Sequence, residues 1–145
     1  MKTNCLFSTG NNGLMANLGL LVLRVWLGVA MLCNHGWDKL IHFSDKAGGF
    51  PDLIHIGSTG NLALALFAEV ACSVLLVFGL VARFAALVLA INMTVAFVLV
   101  HKMALSGEHG GELAFLYLAG YVTLLIAGPG SYSADGTLFG KPVEN

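Results

Sequence analysis

Charged residues are scarce in this sequence. Asp, Glu, Lys and Arg make up 10% of its 145 residues, whereas a soluble globular domain carries about 25%. The hydrophobic fraction is 57%, and this surplus of apolar side chains predicts that lipid covers much of the folded surface. Seven basic against eight acidic residues give a formal net charge of -1, which excludes a basic face for nucleic acid and an acidic tail for cations.

Cysteines and cofactor motifs are also scarce. Cys5, Cys33 and Cys72 lie far apart and form no C-x-x-C pair, so neither a disulfide framework nor a zinc site is predicted. Glycine-rich nucleotide loops and internal repeats are absent from the sequence, which excludes a Rossmann or P-loop domain in this chain. We therefore predict no cofactor that is covalently attached or bound by a known motif.

Long apolar stretches predict an all-α integral membrane protein. A helix that crosses a membrane needs about 20 mostly apolar residues, and four stretches meet or approach that length. They are predicted to form one domain, an up-down-up-down four-helix bundle whose outer surface contacts the lipid bilayer. The predicted spans cover residues 14–33, 62–80, 84–101 and 112–128, and the loop 34–60 is placed at the membrane interface.

Turn residues set two of the span boundaries. As one helix, residues 62–100 would reach about 58 Å at 1.5 Å per residue, whereas a hydrocarbon core is about 30 Å thick. They must therefore form a hairpin, and we place its turn at Gly79 to Arg83, where glycine and a charge interrupt the apolar run. The last span is short and ends at Gly128-Pro129-Gly130, because proline cannot continue a helix.

Arg24 and Glu69 are charged residues inside predicted spans. Each costs roughly 2.5 to 3.5 kcal/mol at the centre of a membrane helix unless a partner offsets the cost. Arg24 lies nine residues before Cys33, the end of the first predicted span, and Glu69 lies seven residues after Leu62, the start of the second. At 1.5 Å per residue, both are roughly 10 to 14 Å below the same membrane surface. We therefore predict an ion pair between them, with Gly28 allowing close approach of the two helices. The pair either clamps the first two spans together or forms the floor of a polar cavity.

Other polar side chains are predicted to lie near this pair. His35 and Lys39 share a helical face with Arg24 if the first helix continues that far. Asn92 lies at mid-depth in the third span, either as a hydrogen-bonding contact between helices or as a cavity wall. Such a group suits the binding of a small polar head group, for example a quinone ring or a sulfur oxyanion.

The up-down topology brings His101 and Glu112 to the same surface, with Tyr117 about one and a half turns below it. Residues at a membrane surface are also polar simply because headgroups and water are present there. Haem between His35 and His101 is an alternative. A metal site is another, with His101, Glu108, His109 and Glu112 as ligands. The spacing matches no recognised motif, so we predict no metal and expect a bound quinone as the cofactor.

Six short sequence features follow one another along the chain: Arg24-x3-Gly28, His35-Gly36-x2-Lys39-Leu40, Glu69, Gly79-x3-Arg83, Gly111-Glu112-Leu113 and Gly128-Pro129-Gly130-Ser131-Tyr132-Ser133-x-Asp135. Their order and spacing over about residues 18–136 resemble the DoxX family of small bacterial membrane proteins. The resemblance implies four transmembrane helices in the bacterial inner membrane. Relatives include the membrane subunit of thiosulfate:quinone oxidoreductase and proteins linked to thiol-redox or oxidative-stress complexes. Ala134 departs from the family pattern, in which a larger apolar residue is common.

The resemblance and the buried polar residues favour a membrane subunit of a quinone- or thiol/sulfur-linked redox system. Arg24 and Glu69 would form the cavity floor, and His35, Lys39 and Tyr117 would donate hydrogen bonds. Electrons would come from a soluble oxidoreductase partner, because the sequence has no convincing flavin, haem or iron-sulfur motif. The alternatives are a small-solute or proton-coupled permease, for which four helices imply a homodimer, and a non-catalytic membrane scaffold.

Overall fold

The computed structural model describes residues 13–107 and 110–139, and every secondary-structure element in these two ranges is helical. The longer helices are separated by short turns and by the segment that follows Lys46. In chain order the elements are α1 (Gly13–Ile41), α2 (Phe43–Lys46), α3 (Ser58–Phe78), α4 (Ala82–Val100), α5 (Glu112–Ala127) and α6 (Ala134–Phe139).

Three of these helices, α1, α3 and α4, are long and apolar enough to cross a membrane. The prediction of an all-α, multi-pass membrane protein is therefore confirmed. Helix α5 is also apolar but has 16 residues, which is about 24 Å at 1.5 Å per residue. The predicted fourth crossing stays a prediction.

Helix α1 extends beyond the predicted end of the first span. It passes through a π-helical turn at Leu32–Gly36 and continues to Ile41, so that part of the predicted loop is helical. The apolar run stops near Cys33, but Trp37 and Leu40 keep apolar surface on the helix beyond it. The end of the apolar run is therefore not the end of the helix.

The predicted hairpin between the second and third spans is confirmed. Helix α3 ends at Gly79, whose φ of 68° lies in the left-handed region that favours glycine, and Val81 follows with a φ of 47°. Helix α4 then begins at Ala82. At the other predicted stop, α5 ends at Ala127, directly before Gly128 and Pro129.

Helices α1 and α3 pack in an antiparallel pair that two glycines bring close together. A Cβ atom at Gly28 would lie 2.6 Å from Val77 Cγ2, and one at Gly36 would lie 2.8 Å from the Glu69 carbonyl oxygen. Any larger residue would push the helices apart. The predicted role of Gly28 in close helix approach is confirmed, and Gly36 brings the end of α1 against the backbone of Glu69.

Helices α4 and α5 form the second antiparallel pair. The rings of Phe97 and Phe115 are 5.4 Å apart at one end, and Arg83 donates a hydrogen bond to the Ile126 carbonyl at the other. The core between the two pairs contains fully buried side chains, among them Met31 and Tyr121. This arrangement places the end of α1, the start of α3 and the end of α4 at one end of the bundle.

Candidate functional site

Three π-helical turns lie at this end of the bundle. They occur at Leu32–Gly36 in α1, Phe67–Cys72 in α3 and Ala96–Val100 in α4. A π-helical turn interrupts the regular hydrogen-bond pattern of an α-helix and is found frequently at functional sites. The turns in α1 and α3 contact each other, and Glu69 lies within the turn of α3.

Three polar side chains at this end, Lys39, Glu69 and Asn92, contact one another. Lys39 Nζ lies 2.5 Å from Glu69 Oε2, and Asn92 Nδ2 donates to Glu69 Oε1 over 3.4 Å. Lys39 Nζ also donates to the His35 carbonyl oxygen over 3.4 Å. The Glu69 side chain is 7% exposed. Its charge is therefore shielded from water, and it is balanced by the ammonium of Lys39, which belongs to another helix. We call these three residues the polar cluster.

A cavity of about 460 Å³ adjoins the polar cluster, and all three of its residues line it. The volume is within the range of small-molecule sites, about 300 to 1,000 Å³. Most of its surface comes from apolar side chains of α3 and α4. Among these are Leu64, Ala65, Ala68, Val88, Ile91 and Val95.

One wall of the cavity comes from the segment between α2 and α3. Phe50, Leu53 and Ile54 line the cavity from this segment, and we call residues 50–54 the roof. The roof is fastened by Asp52, whose Oδ1 accepts a hydrogen bond of 2.5 Å from Nδ2 of the buried Asn61. The same oxygen accepts the Ile56 backbone N–H over 3.0 Å.

The predicted ion pair between Arg24 and Glu69 is wrong. Glu69 binds Lys39 and Asn92, whereas Arg24 lies beside the last turn of α3, at the opposite end of the bundle. Its guanidinium donates to the carbonyl oxygens of Leu76 at 3.2 Å and Val77 at 2.6 Å, and to that of Tyr132. The predicted depth of Arg24 assumes that α1 ends near Cys33, but α1 continues about two turns further to Ile41, so Arg24 lies deeper than predicted.

A model of the DoxX family matches residues 19–102, more than half of the chain. The matched range contains the whole polar cluster, the roof and Arg24. The chain belongs to the DoxX family. It is also similar to an uncharacterized protein of Haemophilus influenzae, with 31% identity over 118 residues that cover 77% of this chain and 84% of the relative. No solved structure matches the chain.

Arg24 connects three parts of this DoxX protein. It binds the C-terminal carbonyls of α3, where a positive charge is favourable, and it also binds the segment after α5. That segment places Asp135 at the start of α4, where its carboxylate accepts the backbone N–H groups of Val81 and Ala82 at 2.8 Å each. The Gly-Pro-Gly-Ser-Tyr-Ser motif thus joins the α3–α4 turn to α5.

Two further predicted residues of this DoxX protein, His35 and Tyr117, lie near the polar cluster but do not line the cavity. The His35 ring packs edge-on against Tyr117, with centroids 5.8 Å apart, and Tyr117 stacks on Tyr121 at 5.9 Å. The rings therefore form a column between α1 and α5. Neither His101, directly after α4, nor the exposed Glu112 belongs to the cavity lining.

The metal alternative is only partly covered by the described residues, because Glu108 and His109 lie outside them. Within residues 13–107 and 110–139, no group of three or more His, Cys, Asp or Glu side chains is placed to hold a metal ion. Of the cysteines, Cys33 and Cys72 are free thiols, and Cys5 lies outside the described residues.

Sequence reasoning missed the roof and its hydrogen bond between Asp52 and Asn61. The sequence places residues 34–60 in an interfacial loop, and nothing in their pattern indicates that this loop folds back over α3 and α4. Its conformation includes positive φ angles at His55 and Gly57, and only the glycine could have suggested one of them. The signal in the sequence was Asn61, a polar residue directly before the apolar run of the second span. The structure shows that Asn61 is buried.

Proposed function

We propose that this chain is the membrane subunit of a quinone-linked redox system and that it binds the quinone ring in the cavity beside Lys39, Glu69 and Asn92. The observation that supports this proposal is the combination of a mostly apolar cavity with a small polar cluster in its wall. Asn61, the other polar lining residue, donates to Asp52 and to the Gly57 carbonyl. A quinone has the same character as the cavity, because two carbonyl oxygens are its only strong hydrogen-bond acceptors on an otherwise apolar ring.

The polar cluster has donors available for those carbonyls. The Lys39 ammonium has three N–H groups, of which one binds Glu69 and one the His35 carbonyl. The Asn92 carboxamide has two N–H groups, and one of them binds Glu69. Each side chain therefore retains one donor for a ligand at the cavity wall.

The charge balance favours a neutral ligand over a sulfur oxyanion. Lys39 is paired with Glu69 at 2.5 Å, so the cluster has no net positive charge to attract an anion. An oxyanion would also meet the Glu69 carboxylate in a site of low dielectric, where repulsion between like charges is strong. In this proposal, a sulfur compound or thiol is the substrate of the soluble oxidoreductase partner, and it does not bind in the cavity.

Reduction of a quinone to a quinol takes two electrons and two protons. The proposal assigns the electrons to a soluble oxidoreductase that docks on this membrane subunit. Glu69 is ion-paired with Lys39 and has no proton to give, so in this proposal both protons come from water, and the chain supplies hydrogen-bond donors to the quinone oxygens. The chain itself binds and positions the ring.

The proposal includes a four-crossing bundle in the inner membrane of a bacterium. Helix α5 packs antiparallel to α4 and is apolar along its length. Its length of about 24 Å is less than the hydrocarbon thickness of about 30 Å. A bilayer adjusts to such a difference by local thinning at a modest free-energy cost.

A binding titration tests this function. The purified chain in lipid nanodiscs would be titrated with a dimethoxy-methyl-benzoquinone that carries a decyl chain, and the dissociation constant measured by calorimetry. We expect the variants Asn92→Leu and Lys39→Met/Glu69→Gln to weaken binding by about ten- to hundredfold, the equivalent of one strong hydrogen bond. Lys46→Met is the matched control, because Lys46 is an exposed lysine paired with Asp38.

The proposal would be contradicted if both cluster variants bound the quinone as tightly as the wild type does. It would also be contradicted if the wild-type protein bound no quinone. Uptake of a small solute into liposomes containing only this chain, without any electron acceptor, would support the permease alternative instead.

A further inference from the structure

The cavity opens sideways, through the outer surface of the α3–α4 pair. Ile91 on α4 lines the cavity and is 55% exposed, and Leu64 and Phe67 on α3 are lining residues with similar exposure. All three are large apolar side chains on helices that are long enough to cross a membrane. An opening with such a rim faces the acyl chains of the bilayer.

The end of the cavity is covered. The roof side chains Phe50, Leu53 and Ile54 lie over the region where α3 begins, and the Asp52–Asn61 hydrogen bond of 2.5 Å fastens them. Thr59 Oγ1 also donates to the Ala47 carbonyl over 3.3 Å, which ties the start of the segment to α3. The roof therefore covers this end of the cavity, whereas the exposed lining residues of α3 and α4 lie at its side.

We propose that the ligand enters from the lipid between α3 and α4 and leaves its apolar tail in this side opening, over Val88 and Ile91. This inference rests on the proposed function, because it names the prenyl or alkyl tail of a quinone as the occupant. The ring then lies at Lys39, Glu69 and Asn92. The roof stays closed during entry.

The geometry of α4 supports this division of the ligand. Asn92, Val88, Ile91 and Val95 all line the same cavity, and Val88 lies four residues before Asn92, which is about 6 Å along the helix. On the facing helix the lining residues Ala65 and Ala68 are small, so they leave a groove that is deep enough for a chain of methylene groups. The polar part of the cavity thus suits the quinone ring, and the apolar part suits the tail of the same molecule.

Ligands with and without a tail test the inference. The same dimethoxy-methyl-benzoquinone would be titrated with its decyl chain and without it, against wild-type protein and the variants Ile91→Trp and Val88→Phe. We expect each variant to weaken binding of the tailed quinone by about tenfold or more, because a larger side chain removes tail contacts. Binding of the tail-less ring should weaken much less, because the ring lies at Lys39, Glu69 and Asn92, and the ratio of the two dissociation constants is the readout.

The matched control is Leu116→Trp. Leu116 is an apolar residue of α5 that is 58% exposed and does not line the cavity, so both quinones should bind this variant as they bind the wild type. Binding of the tail-less ring also shows that the variant proteins are folded.

Equal weakening of both quinones by Ile91→Trp, or weakening of neither, would overturn the lateral route. If neither quinone binds the wild type, the proposed function itself fails, and this outcome is distinct from the others.

Discussion

At one end of the bundle Arg24 is bound by main-chain carbonyls, whereas at the other end Glu69 is held by two side chains beside a cavity. Both residues are charged and almost fully buried. Arg24 joins α1, the end of α3 and the segment after α5, and it does not line the cavity beside Glu69. Glu69 lies within the π-helical turn of α3, which contacts the π-helical turn of α1. Burial of a charge therefore does not by itself indicate a ligand site, and the type of partner separates the two cases.

The largest effect is expected from loss of the Arg24 guanidinium. Arg24→Leu would leave the carbonyls of Leu76, Val77 and Tyr132 without this donor, and we expect a loss of about 3–5 kcal/mol in unfolding free energy. Arg24→Lys should be intermediate, because a lysine has a point charge without the planar fork. Thermal unfolding of the detergent-solubilised protein measures the difference. An Arg24→Leu protein as stable as the wild type would show that this end does not depend on Arg24.

A smaller effect is expected at Gly79, where α3 turns toward α4. A Cβ there would lie 2.5 Å from Arg24 Nη1 and from Ser133 Cβ, and the backbone φ is 68°. Gly79→Ala should therefore lower stability by about 1–3 kcal/mol. Gly48→Ala is the control, because a Cβ at Gly48 meets nothing within 4 Å. Equal melting temperatures for the two variants would contradict the tight packing of the Arg24 end.

The smallest stability effect is expected at the polar cluster. Lys39→Met leaves the Glu69 charge without its ion-pair partner, so we expect a loss of about 1–2 kcal/mol, given that Lys39 is partly exposed. Adding Glu69→Gln should restore most of the stability, since it removes the unpaired charge. The double variant should still bind the quinone about ten- to hundredfold more weakly than the wild type. A double variant less stable than Lys39→Met alone would mean that Glu69 has a structural role like that of Arg24.

Apolar patterning predicted most of the fold. The spans predicted at 62–80, 84–101 and 112–128 differ from α3, α4 and α5 by four residues or fewer at each boundary. The hairpin turn was predictable because glycine interrupts a run that is too long for one crossing. The end of α1 was not, since its last two turns mix polar and apolar residues and lack a stop signal.

The candidate site was predictable only in part. Glu69, Lys39 and Asn92 were each named from the sequence as cavity residues, and the structure brings them together. Their pairing was not predictable, because it depends on the true length of α1: a helix ending at Cys33 puts Arg24 at the level of Glu69, whereas a helix ending at Ile41 puts Lys39 there. The roof depends on a loop conformation that no periodic pattern encodes.

The most direct test is to locate a bound quinone by crystallography in a lipidic phase, with a bromine atom on the quinone ring and anomalous diffraction to find it. The account predicts a bromine peak inside the cavity between α3 and α4, with a quinone oxygen within hydrogen-bond distance of Lys39 Nζ or Asn92 Nδ2. A peak beside Arg24, or a map in which Glu69 pairs with Arg24 instead of Lys39, would contradict it.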